Sequence, residues 1–262
     1  MNGELAQLVA LVSYGNAVLA DRLPADDIEN DSTVGSACTV SFLYPSGHRS
    51  VTEWVQHMRL QGVERLELDA VGQLGKEAEN ESLPRHLRTA FSTTLGPTIV
   101  AHTKRNSEVW RAEWTALPEA ERTDDLAWLI GYRQVYTGPR LALSHAPVTD
   151  ASRSLNRSLT RIQQFADVNG QVVWGEYFAA ASRVLAGKTD LDDAHSRLLA
   201  DPPPDAHRLL GAAARGWAFG GMGSWNDLDF SGDDDAEVNY NRVTSEHYQA
   251  SLIAIDAATN AR

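Results

Sequence analysis

Cysteine is almost absent from this sequence, since Cys38 is the only one among 262 residues. A single thiol cannot form an internal disulfide and excludes a zinc site built from several cysteines. Long apolar runs are missing as well, because no stretch approaches the roughly 20 residues that a membrane-crossing helix needs. The first residues also lack the basic segment of a secretory signal. We therefore expect a cytoplasmic protein without a membrane anchor.

Positive charge is in short supply. The chain has 23 lysines and arginines against 35 aspartates and glutamates, a formal net charge of −12. This charge repels phosphate backbones, so nucleic acid is an unlikely partner, whereas a basic protein or a small-molecule ligand is compatible with it. Solubility alone also accounts for an acidic balance. The 43% hydrophobic and 22% charged residues are typical of a folded chain.

The common catalytic motifs are absent too. The sequence has no Gly-x-Ser-x-Gly elbow, no Walker loop, no His-Glu-x-x-His and no Cys-x-x-Cys. The glycines at 220, 221 and 223 follow a predicted helix instead of a strand, which is the wrong context for dinucleotide binding. An enzyme with a familiar signature is therefore disfavoured, although active sites also assemble from distant residues.

The first half of the chain mixes strand and helix patterns. Apolar residues alternate with polar ones at 40–44 and 66–70, and they recur at helical spacing at 51–58. This succession predicts a βαβ unit with a right-handed crossover. Residues 98–114 resemble a hairpin, and residues 126–133 fit a short helix. A small mixed sheet is the expected core of this half.

The second half is predominantly helical in pattern. Apolar stripes with three- and four-residue steps run through residues 155–165, 173–184, 209–217 and 243–255. We therefore predict an α+β fold, with a mixed α/β part at 1–150 and a helical bundle at 151–262. The two parts are either separate domains or one continuous domain.

The most informative segment is 219–230, which reads Phe-Gly-Gly-Met-Gly-Ser-Trp-Asn-Asp-Leu-Asp-Phe. Its glycines free the backbone, and its aromatic side chains offer contact area to a ligand or partner. The candidate binding residues are Met222, Trp225, Asn226 and Phe230. The alternative is that Trp225 and Phe230 fold back onto the bundle, as aromatic residues beside helix ends usually do.

The same segment leads into an acidic run that resembles a calcium loop. Oxygen-bearing residues alternate at Asp227, Asp229 and Ser231 and are followed by a glycine, as in the opening of such a loop. The candidate calcium or magnesium ligands are Asp227, Asp229, Ser231, Asp233, Asp235 and Glu237. The match then weakens, because Glu237 falls at position eleven instead of twelve. The alternative is an acidic loop that caps the following helix.

Two sets of basic residues are further candidates. Arg153, Arg157 and Arg161 are four residues apart and line one helix face, where they could bind a phosphate, a carboxylate ligand or an acidic partner. The alternative is a solvated face neutralised within the fold. Arg140 and His145 have a spacing found in helical ribonucleases, but flanking prolines leave little room for a helix there.

Two functions remain open. The first is an acidic intracellular binding protein of the immunity or adaptor kind, which uses residues 219–230 and the neighbouring acidic residues. The second is an enzyme of unrecognised type, in which Asp227 and Asp229 hold a metal ion or act as acid and base. The missing catalytic set favours the first.

Overall fold

The computed structural model describes residues 1–28, 37–74, 96–117, 126–190, 197–220 and 223–261. It confirms the α+β class, with a six-stranded mixed sheet in the N-terminal half and helices in the C-terminal half.

Helix α1 spans Gly3–Leu19 and begins at Asn2, whose side chain accepts a hydrogen bond from the backbone N–H of Leu5. Its buried residues are distributed around the helix instead of along one stripe. A helix that is apolar all round must be enclosed. Helix α1 accordingly contacts the sheet as well as the last helix of the chain.

The sheet contains six strands. They are β1 (Ala37–Tyr44), β2 (Gly47–Arg49), β3 (Arg65–Asp69), β4 (Thr98–His102), β5 (Asn106–Ala116) and β6 (Leu126–Pro139). Their order is β2-β1-β6-β5-β4-β3. Every neighbouring pair is antiparallel except β1 and β6, which are parallel. The predicted hairpin is confirmed as β4 and β5.

The predicted βαβ unit is present only as a succession along the chain. Helix α2 (Val51–Leu60) does lie between β1 and β3 in sequence. However, β6, β5 and β4 separate the two strands in the sheet, and the pairing directions make β1 and β3 antiparallel to each other. The expectation of a parallel right-handed crossover was therefore wrong, because local alternation predicts a strand but not its neighbour.

The helix predicted at 126–133 was also wrong, since these residues belong to β6. Ile130 and Tyr132 are fully buried, whereas Leu129, which lies between Trp128 and Ile130 in the sequence, is 40% exposed. This alternation of buried and exposed side chains has the two-residue period of a strand. Pairing with β1 on one side and β5 on the other outweighs the helical spacing of the leucines.

One sheet face packs on α1 and α2 through large aromatic side chains. The rings of Phe42 and Trp54 are stacked with centroids 3.9 Å apart, and Phe42 is also stacked on Tyr132 at 4.9 Å. Trp110 closes the group edge-on against Phe42. All four side chains are inaccessible to solvent, so they form the centre of this half's core.

The described part of the second half contains four α-helices, as predicted. They are α3 (Val148–Val168), α4 (Val172–Leu185), α5 (Pro204–Arg215) and α6 (Asp234–Thr259). Gly170 makes the turn between α3 and α4 with a positive φ of 71°, a conformation that favours glycine. Helix α3 packs on α4, α5 and α6. Among the residues described, no helix is both long and apolar enough to cross a bilayer.

The outer edge of β3 is covered by side-chain amides instead of another strand. Asn16 from α1 bonds both the N–H and the carbonyl of Leu66, at 2.8 and 2.9 Å. Asn260, after α6, does the same for Leu68, at 3.0 and 2.9 Å. Asp256 accepts a hydrogen bond from the N–H of Ala70. These hydrogen bonds satisfy the backbone groups of an unpaired strand edge, and they join the C-terminal end of the chain to the sheet.

Candidate functional site

A cleft of about 910 Å³ lies between α4, the end of α5 and residues 217–224. Its lining consists of Met1, Asn2, Val173, Trp174, Glu176, Tyr177, Ala180, Arg183, Arg215, Trp217, Ala218, Phe219, Gly220, Gly223 and Ser224. Four of these side chains are aromatic, and we call the feature the aromatic cleft.

The inner wall of the aromatic cleft follows from the way α5 ends. At Gly216 a Cβ atom would stand 3.1 and 3.2 Å from the side chains of Leu159 and Ala181, so the glycine permits a close approach to both. The chain then turns inward, and the indole N–H of Trp217 donates to the carbonyl of Phe219 at 2.7 Å. Both aromatic residues are more than 90% buried, which fixes this wall.

Helix α4 supplies the opposite wall. The hydroxyl of Tyr177 donates to the carbonyl of Trp217 at 2.8 Å, which ties the two walls together. Trp174 packs edge-on against Tyr177, with ring centroids 5.3 Å apart. Both residues are half-buried, so part of each ring is open to the cleft. Val173, 82% exposed, adds an apolar residue to the lining.

Two arginines bring positive charge to this wall. The guanidinium of Arg215 lies over the Tyr177 ring, 5.2 Å from its centroid. Burial raises the pKa of Tyr177, and the Arg215 charge partly opposes that rise. Arg183 is ion-paired with Glu176. Arg215 has no ion pair within the described ranges, so the lining carries an unbalanced cation in an acidic protein.

The structure divides the predicted binding residues of 219–230. Phe219, at the start of the segment, lines the aromatic cleft, whereas Met222 lies outside the described residues. Trp225 is fully buried and faces the bundle, where its indole N–H donates to Thr244 at 2.8 Å. The prediction that Trp225 contacts a ligand or partner at the surface was therefore wrong. Its ring has a hydrogen-bond partner and packs against aromatic side chains inside the bundle.

Asn226 and Phe230 also do not line the aromatic cleft. Both are half-buried, and the ring of Phe230 packs edge-on against Phe165 at 5.2 Å and beside Tyr240 at 5.1 Å. Phe230 thus takes the alternative role that the sequence allowed, an aromatic residue folded back onto the bundle.

The acidic run functions as a series of local caps. The Asp227 carboxylate accepts hydrogen bonds from the N–H groups of Gly223 and Ser224. Asp229 accepts the N–H of Ser231 at 2.8 Å, and hydrogen bonds from Ser231 lower the pKa of the Asp229 carboxyl. Asp233 caps α6 by accepting the N–H of Ala236. These are bonds that a turn and a helix start require.

The remaining candidate ligands, Asp235 and Glu237, lie exposed in the first turn of α6. Residues 227–237 are all described, and the described part of the chain contains no group of three or more His, Cys, Asp or Glu side chains that could hold a metal ion. The calcium-like spacing therefore does not bring these side chains together in such a group. A carboxylate next to a helix N-terminus is stabilised there without a cation.

Two of the three arginines of α3 are ion-paired within the fold. Arg153 pairs with Asp150, and Arg161 pairs with Glu246 at 2.9 Å. All three arginines, including Arg157, are exposed to solvent. Two of the three charges are thus neutralised within the fold, as the alternative predicted.

Sequence reasoning missed a buried polar network on β3 and β4. His102 lies between Ser107 and Glu67, with its Nδ1 2.8 Å from Ser107 Oγ and its Nε2 3.1 Å from Glu67 Oε2. This order resembles a hydrolase triad. However, Ser107 is fully buried, and its Oγ already accepts the N–H of Leu141 at 2.9 Å. The serine is closed to substrates, so the arrangement is structural.

His145 extends this network to the last helix. Its Nδ1 lies 2.6 Å from Asp256 Oδ2 and its Nε2 3.5 Å from Glu67 Oε2. Burial alone would lower the pKa of His145, but the two carboxylates outweigh it and raise the pKa to about 9. The strand alternation places Glu67 on the face opposite Leu66. It does not reveal that this face is covered by residues far along the chain.

Comparisons with protein-family models, curated proteins and solved structures found no match for this chain.

Proposed function

We propose that this is a binding protein that holds a small molecule in the aromatic cleft. The observation that carries the proposal is the cleft itself, about 910 Å³ in volume with aromatic walls tied together by the Tyr177–Trp217 hydrogen bond. Small-molecule sites are concave, mostly apolar and largely preformed, with volumes of roughly 300–1,000 Å³. The start of the 219–230 segment contributes to it, so the proposal narrows the role expected for that segment.

The chemistry of the lining favours binding over catalysis. Among the described lining residues there is no histidine or cysteine, and the only carboxylate is Glu176. That carboxylate is exposed and held by Arg183, so it lacks the buried or coupled setting of a tuned acid or base. Asp227 and Asp229 are occupied as caps, which removes support for the enzyme alternative.

An adaptor or immunity role toward a basic protein is a second proposal, and it concerns a different surface. The first turn of α6 exposes Asp234, Asp235 and Glu237 next to Val238, which is 70% exposed. An acidic surface with an apolar centre suits a basic intracellular partner. Association that weakens steeply with salt and with Val238→Asp would support it, and salt-insensitive binding would overturn it.

Filling the aromatic cleft tests the first proposal. Ala180 is a small residue of the lining, and Ala180→Trp places a large ring in the space. We expect the wild-type protein to bind the uncharged fluorescent probe N-phenylnaphthylamine and the variant to lose at least tenfold in affinity. Ala186→Trp, an exposed position at the end of the same helix and outside the lining, is the matched control.

The melting temperature of each variant shows whether it is folded. Equal probe binding by wild type, Ala180→Trp and Ala186→Trp would overturn the proposal, because the probe would then be binding elsewhere.

A further inference from the structure

We infer that the ligand of the aromatic cleft is an organic anion, with a flat apolar body and one acidic group that Arg215 binds. This inference rests on the proposed function and names the class of ligand. Three features of the cleft point to it: the guanidinium of Arg215, which lies over a ring and has no ion pair among the described residues, a helix start without a side-chain cap, and the partly open rings of Trp174 and Tyr177.

Arg215 is held in place by an aromatic ring instead of a carboxylate. Its guanidinium lies over the Tyr177 ring, 5.2 Å from the centroid, and Tyr177 is itself fixed by its hydrogen bond to Trp217. Stacking orients a guanidinium while leaving its planar N–H donors available to a carboxylate, sulfonate or phosphate. The second arginine of the lining, Arg183, is already neutralised by Glu176. Arg215 is thus the residue prepared for an anion.

The start of α4 adds a second favourable element. Val173 and Trp174 belong to the first turn of this helix, and both line the cleft. The residue before the helix, Gln171, makes no side-chain capping bond, and the first turn contains no acidic residue. The first N–H groups of a helix have no partner inside the helix and carry partial positive charge. An anion in the cleft meets this partial charge, which the Asp167 carboxylate beside Gly175 offsets in part, together with the full charge of Arg215.

The walls define the rest of the ligand. Trp174 and Tyr177 are half-buried and present part of their rings to the cleft, while Trp217 and Phe219, both more than 90% buried, form the rigid wall behind them. Flat ligands gain contact area and offset stacking on such rings. A purely polar anion would leave these surfaces without a partner, and a purely apolar ligand would leave Arg215 unused. The combination favours an aromatic acid.

A matched pair of probes separates the contribution of the apolar rings to binding from that of the charge. Anilinonaphthalenesulfonate carries the same ring system as N-phenylnaphthylamine with one added sulfonate. We expect the sulfonate to bind about tenfold more tightly than the neutral probe, because one charge-assisted hydrogen-bonded contact contributes that much. Added salt should weaken the sulfonate complex and leave the neutral one unchanged.

Substitution of Arg215 assigns the charge. Arg215→Gln should lower the affinity for the sulfonate about tenfold and leave the neutral probe unaffected, and Arg215→Lys should restore part of the loss. Arg208→Gln is the matched control, since Arg208 is an exposed arginine of the same helix outside the cleft lining. Both arginines are on the surface, so these variants should fold.

The outcomes distinguish the two proposals. Suppose that the neutral probe binds and that Ala180→Trp lowers its affinity. If the sulfonate then binds no more tightly than the neutral probe, or if Arg215→Gln does not change its affinity, the anion inference is wrong and the binding function stands. If neither probe responds to Ala180→Trp, the binding function itself fails. Equal losses in Arg215→Gln and Arg208→Gln would also overturn the inference, because a general change in surface charge would explain them.

Discussion

Because the His247 side chain is fully buried, its protonation affects the free energy of unfolding. Its Nε2 donates to the carbonyl of Gly216 at 2.8 Å, and its Nδ1 lies 3.2 Å from Ser158 Oγ. Burial lowers the pKa of His247 to about 4, despite the opposing effect of the Gly216 carbonyl. The native protein therefore keeps this imidazole neutral at a pH where the unfolded chain, with a histidine pKa near 6.5, binds a proton.

We predict that this difference destabilises the fold in mild acid. The folded pKa is depressed, so the penalty is absent above about pH 6.5, grows as the pH falls and is complete below about pH 4. A shift of this size corresponds to about 3 kcal/mol. Urea unfolding at pH 7, 5.5 and 4 measures it, and His247→Gln should flatten the acid dependence. An unchanged slope in that variant would contradict the prediction.

His145 has the opposite dependence on pH. Its pKa is raised to about 9 by Asp256 and Glu67 against the effect of burial, so the folded state favours the charged imidazole. The resulting stabilisation is fully present below about pH 6.5 and is lost as the pH rises through about 9. Part of the side chain meets solvent, which screens the pairs, so we expect about 1–2 kcal/mol.

Unfolding measured between pH 6.5 and 9.5 tests this second prediction. His145→Gln should be less stable than wild type at pH 6.5 and nearly equal to it at pH 9.5. If the two proteins differ by the same amount at both values, the charge of His145 is not the source of the stabilisation.

At the scale of elements, β3 depends on amide side chains to complete its outer edge. Asn260 is 7% exposed and satisfies both backbone groups of Leu68, which would otherwise be buried without partners. We predict that Asn260→Ala costs about 1–3 kcal/mol, the typical penalty of leaving buried polar groups unsatisfied. Asn156→Ala, at an exposed position of α3, is the control and should change the stability by less than about 0.5 kcal/mol. Equal effects of the two substitutions would contradict the role of the edge.

Helices were predictable in this chain where their own periodicity decides the outcome. The stripes of α3 to α6 were sufficient, because each helix buries one face against its neighbours. The element at 126–133 was not predictable in this way, because its strand conformation in β6 depends on pairing with β1 and β5 from elsewhere in the chain. The same reason explains the failure of the βαβ prediction: the position of β3 at the sheet edge depends on Asn16 and Asn260, which local patterns do not connect.

The candidate site was predictable only in its first residues. The segment 219–230 attracted attention for its glycines and aromatic residues, and Phe219 does line the aromatic cleft. Trp174, Tyr177 and Arg215 come from two other helices and meet there only through tertiary packing. The spatial proximity of these residues cannot be predicted from local patterns in a single sequence. The conspicuous Trp225 instead entered the core, because burial of a large ring outweighs its place in a loop.

At the scale of the whole molecule, the bonds across residue 150 determine how the protein unfolds. Asp256 of α6 and Asn260 just after it make hydrogen bonds along the edge of β3, and His145 joins Asp256 to Glu67 of the sheet. One continuous group of buried apolar side chains also extends through both halves. Structures linked through a common core and buried polar bonds usually unfold as one unit.

We therefore predict a single cooperative transition, with the calorimetric enthalpy equal to the van't Hoff enthalpy. Asn260→Ala should move that transition to lower temperature without splitting it, since the sheet and the bundle lose the same joint together. Two separate transitions in the wild-type protein would show that residues 1–150 and 151–262 are independent domains. A transition that is single in the wild type but splits in Asn260→Ala would locate the coupling in this one edge of β3. The edge strand β3 is the place for this test, because Leu68 and Ala70 of the first half have their hydrogen-bond partners in Asn260 and Asp256 of the second.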